Sequence, residues 1–465
     1  MTRFQLRSLP GAEWPPLPKP EVSQLWAAYL ELDRTQWLTP AEIEQLQMRQ
    51  LRALLLHCFH EVKYYRRILS EAGYPKRPIN SLADLRRLPL LTRQLYQTNT
   101  RELQAQRLPE GMTQSGEAYT SGTNGVPIRV LHTNRVGLWW NALFLRDLDW
   151  CGIDPRGRLA AIRFIAMSRD ALPKALEGGP THWNDTLDPL LQTGPAFAMD
   201  IRQDPQKQLA WLRRARPNYI LSFPSNLEVL AALIEQSGEP LSDLRAIQAI
   251  GEPLPPDLRQ RIECGFGVPI WNVYSTTEAG YIASPCPLGH GFHVHSENVI
   301  VEVLDERDEP CQPGETGRLV FTTLHNFLTP FVRYDILDDV TLGTGPCPCG
   351  RSLPLWTHVE GRRVPMFHLP GGGLKSSFGL LRSIRQVGGF RQFQIVQRAP
   401  THFIVRIVPD QTFSSQHRDA LRFAVQEEFE SATRVDVEER PFLERASGGK
   451  LNIAVVEMER DGTVV

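Results

Sequence analysis

The strongest constraint on this fold is an alternation. From about Glu117 onward, short β-rich runs (RLAAIRFIA, NYILSF, AIQAIG, VPIWNVY) are separated by amphipathic stretches such as QKQLAWLRRA and NLEVLAALIEQSG. Strands joined through helices must run parallel, because the crossover carries the chain back to the starting edge, so the pattern predicts an α/β sheet. Ahead of it, Ser23 to Leu32 and Pro40 to Ala72 carry apolar residues at helical spacing, with Thr39 placed to cap the second stretch. Between Asn298 and Leu342 the texture becomes one of alternating strands with turn residues Pro313, Gly314 and Gly317, which predicts an antiparallel or barrel-like module. The last hundred or so residues repeat strand and helix on their own (FRQFQIVQRA, HFIVRIVP, HRDALRFAVQEEFES, RVDVEER). A length of 465 residues exceeds what one core supports. The expected division is therefore a large unit, 1–360, with a helical opening, mostly parallel sheets and a small barrel-like module, followed by a small α+β unit, 361–465.

Charge and composition narrow the function classes. With 51 basic and 52 acidic side chains and no run of five or more Lys and Arg, a counterion-driven grip on nucleic acid is not expected. No segment reaches the eighteen or so apolar residues that span a bilayer, and the first twenty residues lack a signal-peptide core, so a cytoplasmic protein without membrane contact is expected. Seven cysteines argue against a disulfide framework and leave burial or metal binding. Oligomeric state is left open, a homodimer included.

The sharpest local signal is TSGTNGVP, Thr120 to Pro127, directly after a candidate strand at EAY. Gly122 and Gly125 let backbone approach a ligand closely. Amide groups can turn inward as an anion nest, and Ser121, Thr123 and Asn124 add donors for polyphosphate oxygens. A polar surface turn would read the same in isolation. The Walker GKS/T ending is missing. A second signal is Cys286, ahead of GHGFHVH, together with Cys347 and Cys349 in CPCG. Three thiols and an imidazole from that histidine-rich run form a candidate tetrahedral zinc set, although CxC is tighter than the usual CxxC; three reduced thiols are the other reading. Cys58, Cys151, Cys264 and Cys311 have no partner pattern and read as packing residues.

TSGTNGVP resembles the phosphate loop of the adenylate-forming superfamily, which includes acyl-CoA synthetases, luciferases and peptide-synthetase adenylation domains. The order of the remaining motifs most resembles the phenylacetate-CoA ligase branch, over nearly the whole chain. The resemblance implies that AIGEPLPPDL sets Gly251, Glu252 and Pro253 beside adenine. In VYSTTEAG it implies that Tyr274, Ser275 and Thr276 line the nucleotide or acyl site, that Thr277 meets the carboxylate or α-phosphate, and that Glu278 ligates Mg²⁺. Serine at 275 replaces the family's usual glycine. In FVRYDILDDV, Asp338 becomes the acceptor for both ribose hydroxyls, with Asp339 its near competitor, and Arg362 of VEGRR reaches ribose or phosphate. Lys450 in ASGGKLNIAVV matches the catalytic lysine, and members of the branch often carry a structural zinc near the Cys/His set, for which His293, in the GFH step that resembles the branch's GxH, is the first choice of fourth ligand and His290 the alternative.

The implied activity is ATP-dependent adenylation of an aryl carboxylic acid followed by transfer to coenzyme A. Trp139, Trp140, Phe223 and Tyr274 are candidates for the acyl pocket, with helix packing the alternative for the two tryptophans. The hinge departs from the family pattern: GRR is followed by Val364, Pro365 and Met366 instead of an acidic residue. Two alternatives follow, transfer to a carrier protein, amine or hydroxyl acceptor, and a degenerate homologue that binds nucleotide without catalysis.

Overall fold

A computed structural model describes residues 4–12, 14–120, 128–165, 182–362, 366–370, 374–376, 378–429, 432–445 and 451–458. The chain opens on helices Pro20–Thr35, Pro40–Glu61 and Lys63–Glu71. The second starts where its chemistry requires: the Thr39 side chain accepts the Glu42 N–H, the Glu42 carboxylate accepts the Thr39 N–H, and Pro40 occupies the first turn. The single helix expected over Pro40 to Ala72 is broken at Val62, which is extended (φ −114°, ψ 109°). Val62, Tyr64 and Tyr65 are all buried in one core, a run of inward-facing positions that one helical stripe cannot present.

Strands β1 (Gln114–Tyr119) and β2 (Arg129–Thr133) form an antiparallel hairpin with Tyr119 opposite Arg129. The helix Asn134–Trp150 follows, capped by the Thr133 hydroxyl. Next come β3 (Leu159–Arg163), β4 (Ala196–Asp200), β5 (Tyr219–Ser222), β6 (Ala246–Ile250) and β7 (Ile270–Thr276), then β8 (Gly280–Pro285), β9 (Phe292–Val294), β10 (Val299–Leu304), β11 (Thr316–Thr323), β12 (Tyr334–Leu342) and β13 (Leu355–Arg362). These eleven strands, β3 to β13, form one sheet in the order β10-β11-β12-β13-β9-β8-β7-β6-β5-β3-β4. Helices Pro205–Ala215, Pro224–Ser237 and Pro256–Phe266 are the crossovers of the parallel half, burying Leu212, Leu227, Leu230 and Ile262 against Ile162, Ile220 and Ile247.

The α/β class expected from the sequence holds, and two details of the sheet differ. Parallel pairing covers four of the ten strand-to-strand contacts, so the sheet is mixed rather than mostly parallel. The antiparallel module does not close on itself as a barrel; it runs on through β9 and β8 into β7. The cause is local, since a short turn after β7 can only return the chain antiparallel.

β13 ends the large sheet at Arg362, and a separate core begins at Phe367. It comprises the ribbon β14 (Met366–His368) and β15 (Leu374–Ser376), and a four-stranded sheet of β16 (Phe390–Ala399), β17 (His402–Pro409), β18 (Arg434–Glu439) and β19 (Ala454–Val456), ordered β18-β17-β16-β19. Helices Phe378–Val387 and Ser415–Phe429 cover it, packing Leu380, Leu421 and Phe429 on Ile395, Phe403 and Val405. Among the described residues no helix is long and apolar enough to cross a membrane.

Candidate active site

The carboxyl end of β7 is where an open α/β sheet presents ligands. Tyr274, Ser275 and Thr276 are its last residues, Thr277 and Glu278 lie in the turn, and β8 begins at Gly280. The turn is held by the Thr276 hydroxyl, which accepts the Ala279 N–H at 3.1 Å, and needs glycine at 280, where φ is +74°. The Tyr274 hydroxyl donates to Asp338 Oδ2 at 2.5 Å. One turn on, the Tyr334 hydroxyl lies 3.5 Å from Glu278 Oε1. Glu278 and Asp338 are both buried, at 5% and 8% exposure. The two elements thus reach across to each other: Tyr274 of β7 holds Asp338 of β12, and Tyr334 of β12 faces Glu278 in the turn after β7. Asp339, the competitor for Asp338, pairs with Gly361 in the sheet and is half-buried.

Ser121, Gly122, Thr123, Asn124 and Gly125 lie outside the described residues, but the base of their loop is defined. Thr120 N–H donates to the Ile128 carbonyl at 3.0 Å, Ile128 N–H returns to the Thr120 hydroxyl at 2.9 Å, and Arg93 Nη2 reaches that hydroxyl at 3.2 Å. The octet is therefore the connection of the β1–β2 hairpin. This hairpin docks on the end of β7. His132 Nε2 lies 3.1 Å from the Thr277 carbonyl, which accepts its N–H, and the Tyr96 hydroxyl donates to the Arg129 carbonyl at 2.8 Å. Burial pushes the His132 imidazole down, opposed by its bond to Thr277. Burial first, and the Glu278 charge second, push the Tyr96 phenol up.

The turn after β6 carries Gly251 (φ +74°), Glu252 and Pro253. Pro253 packs on Gly361, where an added Cβ would meet Pro253 Cγ at 2.6 Å. Gly361 pairs with Asp339, and Arg362 with Asp338, so this turn, β13 and the Asp338 carboxylate come together at one place. The Arg362 side chain lies outside the described residues. Glu252 is taken up by other partners than a nucleotide base: Oε2 accepts the Ser225 N–H at 2.9 Å, Oε1 accepts the Leu451 N–H at 2.9 Å, and Arg445 Nη1 is 3.6 Å away. Lys450 lies outside the described residues, but its neighbour Leu451 is bonded to the large unit.

Beside Glu278 opens a cleft lined by Val136, Trp140, Gly280, Tyr281, Thr323 and His325. Trp140 lies flat enough on the turn that a Cβ at Gly280 would meet its ring at 3.0 Å. Trp139 stacks on His325, with centroids 4.5 Å apart, so one tryptophan lines the cleft and the other supports it. Phe223 is buried in the core of the parallel half, away from this lining.

Cys286, His293, Cys347 and Cys349 bring one ligand atom each within 4.8 Å of the others. Cys286 Sγ and Cys347 Sγ are 3.5 Å apart, close to the roughly 3.8 Å edge of a tetrahedron with about 2.3 Å zinc–sulfur bonds. His293 Nε2 lies 3.1 Å from Cys349 Sγ while Nδ1 donates to the Leu353 carbonyl at 3.2 Å, the outer bond that fixes a ligating tautomer. The donor set fits zinc. His290, the alternative ligand, is exposed and outside the group. Cys58 and Cys151 are buried, Cys264 exposed and Cys311 half-buried.

Sequence reasoning missed Tyr96, His132, Tyr334 as a partner of Glu278, and the pairing of Glu252 with Arg445 and Leu451. Tyr334 was within reach of the FVRYDILDDV segment; the others lie outside any local pattern, because their partners are far away in sequence.

A family model described as "AMP-binding enzyme" matches residues 118–329. The phenylacetate-coenzyme A ligase of Thermus thermophilus is 26% identical over 336 residues, 71% of this chain and 72% of that protein. The phenylacetate-coenzyme A ligase of Escherichia coli is 26% identical over 351 residues, 73% of this chain and 76% of that one. Among solved structures, a 2-hydroxyisobutyryl-CoA ligase in the postadenylation state superposes with a TM-score of 0.71 at 19% identity, covering 92% of each chain.

Proposed function

Because the chain belongs to the adenylate-forming superfamily, in its phenylacetate-CoA ligase-like branch, we propose that it activates an aryl carboxylic acid with ATP and passes the acyl group to coenzyme A. The observation that carries this reading is the joint hold of β7 and β12 on Tyr274, Glu278 and Asp338, with the hairpin of the polyphosphate loop docked on Thr277.

In the first half-reaction a carboxylate oxygen attacks the α-phosphorus of ATP, a C–O–P bond forms and pyrophosphate leaves. Ser121 to Gly125 hold the β and γ oxygens, and Thr277 orients the carboxylate. Asp338, already accepting from Tyr274, takes the ribose diol, with Arg362 beside it and Gly251 and Pro253 against adenine. Glu252 acts differently from its neighbours: it anchors the backbone next to Lys450, which neutralises charge on the entering and leaving oxygens. Glu278, a buried oxygen donor, would hold a magnesium ion that adds further neutralisation of the phosphates. In the second half-reaction the thiol of coenzyme A attacks the acyl carbon and AMP departs. The acyl group occupies the cleft at Trp140, Gly280 and Tyr281. A zinc ion held by Cys286, His293, Cys347 and Cys349 would tie the β8–β9 turn to the segment before β13, a structural duty away from the chemistry. In this reading the large unit, expected as 1–360 and extending through β13 to Arg362, carries the acyl site and most of the ATP site, and the remainder is the moving lid that brings Lys450.

The altered hinge, Val364, Pro365 and Met366 after GRR, favours a second reading in which the acceptor is a carrier-protein thiol, an amine or a hydroxyl. One experiment separates the readings. Pyrophosphate exchange is screened over aromatic, aliphatic and amino acids, and AMP release is then followed with and without coenzyme A. Exchange confined to aryl acids and AMP release that requires coenzyme A are expected. Exchange without coenzyme A-dependent release selects the second reading, and no exchange with any acid overturns both.

A further inference from the structure

The strand that carries Asp338 is irregular immediately before that residue. Arg318 of β11 pairs with Asp339 and Val320 pairs with Asp335, so Ile336, Leu337 and Asp338 together face the one residue Leu319. A strand with extra residues must bulge, and a bulge re-aims the side chains at its end. Here the apex is Leu337, with φ +64°, in the left-handed region where a β-carbon is disfavoured. Its side chain is 44% exposed, so core packing does not compel that conformation.

What holds the bulge is Asp335. Its Oδ1 accepts the Leu337 N–H at 2.9 Å, while Oδ2 meets Arg318 Nη1 at 3.3 Å across the break in register. Arg318 is steadied in turn by Asp308. Asp335 is 4% exposed, and its backbone N–H donates to the Leu91 carbonyl at 3.0 Å, which fixes the residue at both ends. An acid spent on a backbone amide and a guanidinium, three residues before Asp338, sets the direction in which the chain leaves the bulge. Asp338 then meets Tyr274 at 2.5 Å, opposite Arg362.

We propose that Asp335 is the positioning residue for ribose recognition: it locks the left-handed turn at Leu337, and that turn aims the Asp338 carboxylate at the nucleotide diol. The inference rests on the reading of Asp338 given above and adds the device that makes it selective. A carboxylate accepts two hydroxyls at once only in a narrow orientation, so loosening the turn costs selectivity for the diol before it costs binding of phosphates or acid.

The test is pyrophosphate exchange with ATP against 2′-deoxy-ATP. Asp335→Ala is expected to lower the ATP to 2′-deoxy-ATP preference in kcat/KM at least fivefold with the KM for the acid unchanged, and Asp335→Asn, which keeps an acceptor for the Leu337 N–H, to restore most of it. Should Asp335→Ala fold poorly, the double variant Asp335→Ala/Leu337→Gly removes the strain and is expected to regain stability without regaining preference. A double variant with wild-type preference overturns the proposal, as does an equal loss for nucleotide and acid. Asp338→Ala in the same assay separates the two levels: unchanged ribose preference there would remove the reading of Asp338 itself.

Discussion

Gly361 is the position at which a single methyl group tests how the ATP site is built. Its φ of +80° lies in the region disfavoured for residues with a β-carbon, at about 1–2 kcal/mol. An alanine Cβ would also stand 2.6 Å from Pro253 Cγ and 3.6 Å from Pro253 Cβ and Cδ. Relief requires moving either the turn after β6 or β13, and β13 is fixed by its pairing of Gly361 with Asp339 and Arg362 with Asp338. Overpacking of this kind adds about 1–3 kcal/mol, so Gly361→Ala is expected to destabilise the large unit by about 2–5 kcal/mol in all. Because the displaced atom belongs to the turn assigned to adenine, the KM for ATP is expected to rise more than that for the acid. Urea unfolding and pyrophosphate exchange read the two effects. Gly345→Ala is the control, since no atom lies within 4 Å of an added Cβ there, and it is expected to stay within about 0.5 kcal/mol of wild type. A Gly361→Ala protein with wild-type unfolding and wild-type KM for ATP would refute the reasoning.

Four further outcomes are expected. Lys450→Ala loses most adenylation while still binding ATP, because charge compensation in the transition state is worth several kcal/mol; exchange at wild-type rate would count against it. Glu252→Gln keeps one acceptor and loses the other, so exchange falls about tenfold or more while thioester formation from preformed acyl-adenylate is unchanged, and equal slowing of both halves would exclude the anchoring role. Purified protein carries about one zinc per chain by elemental analysis, and Cys347→Ser lowers both metal content and melting temperature, whereas a metal-free preparation of equal stability would decide for reduced thiols. Asp147 is fully buried against Gln248 and Cys151, and burial raises its carboxyl from 3.8 to about 7. The folded chain thus keeps this proton where the unfolded chain has released it, and stability falls as pH rises from about 4 to about 7. Asp147→Asn removes that loss and is expected to be more stable than wild type at pH 8 but not below pH 4; a pH-independent difference would refute the assignment.

The parts of this molecule that were legible in its sequence are those whose physics is local. Thr39 announces a helix start because an N-cap is read within one turn, and the structure completes it with Glu42 as a capping box. The β-rich runs announce the parallel half because each alternates with a helix long enough to cross back. The same reasoning overran at Val62, where two adjacent tyrosines enter the core and end a helix that propensity would continue. It also overstated the parallel share, because strand direction beyond β7 is set by turn length, and the turn from Thr277 to Ala279 reads as a motif before it reads as a hairpin.

What stayed hidden depends on approach between distant segments. Tyr274 and Asp338 are 64 residues apart, yet the bond between them is set by a two-residue excess in β12 that no window of sequence displays, since Ile336 and Leu337 look like ordinary strand residues. Glycine at 361 reads as a hinge, but its necessity comes from Pro253 across the sheet. His132 reads as one more polar residue in a strand, and its role follows from a carbonyl 145 residues away. In each case a residue type with many ordinary uses is narrowed to one by a neighbour brought in by the sheet. Sequence motifs could therefore name the carboxylates, while the aim of Asp338 was set by a register shift and by two left-handed residues, Leu337 within β12 and Gly361 within the adjacent β13. That aim is what a carboxylate needs in order to tell a ribose diol from any other pair of donors.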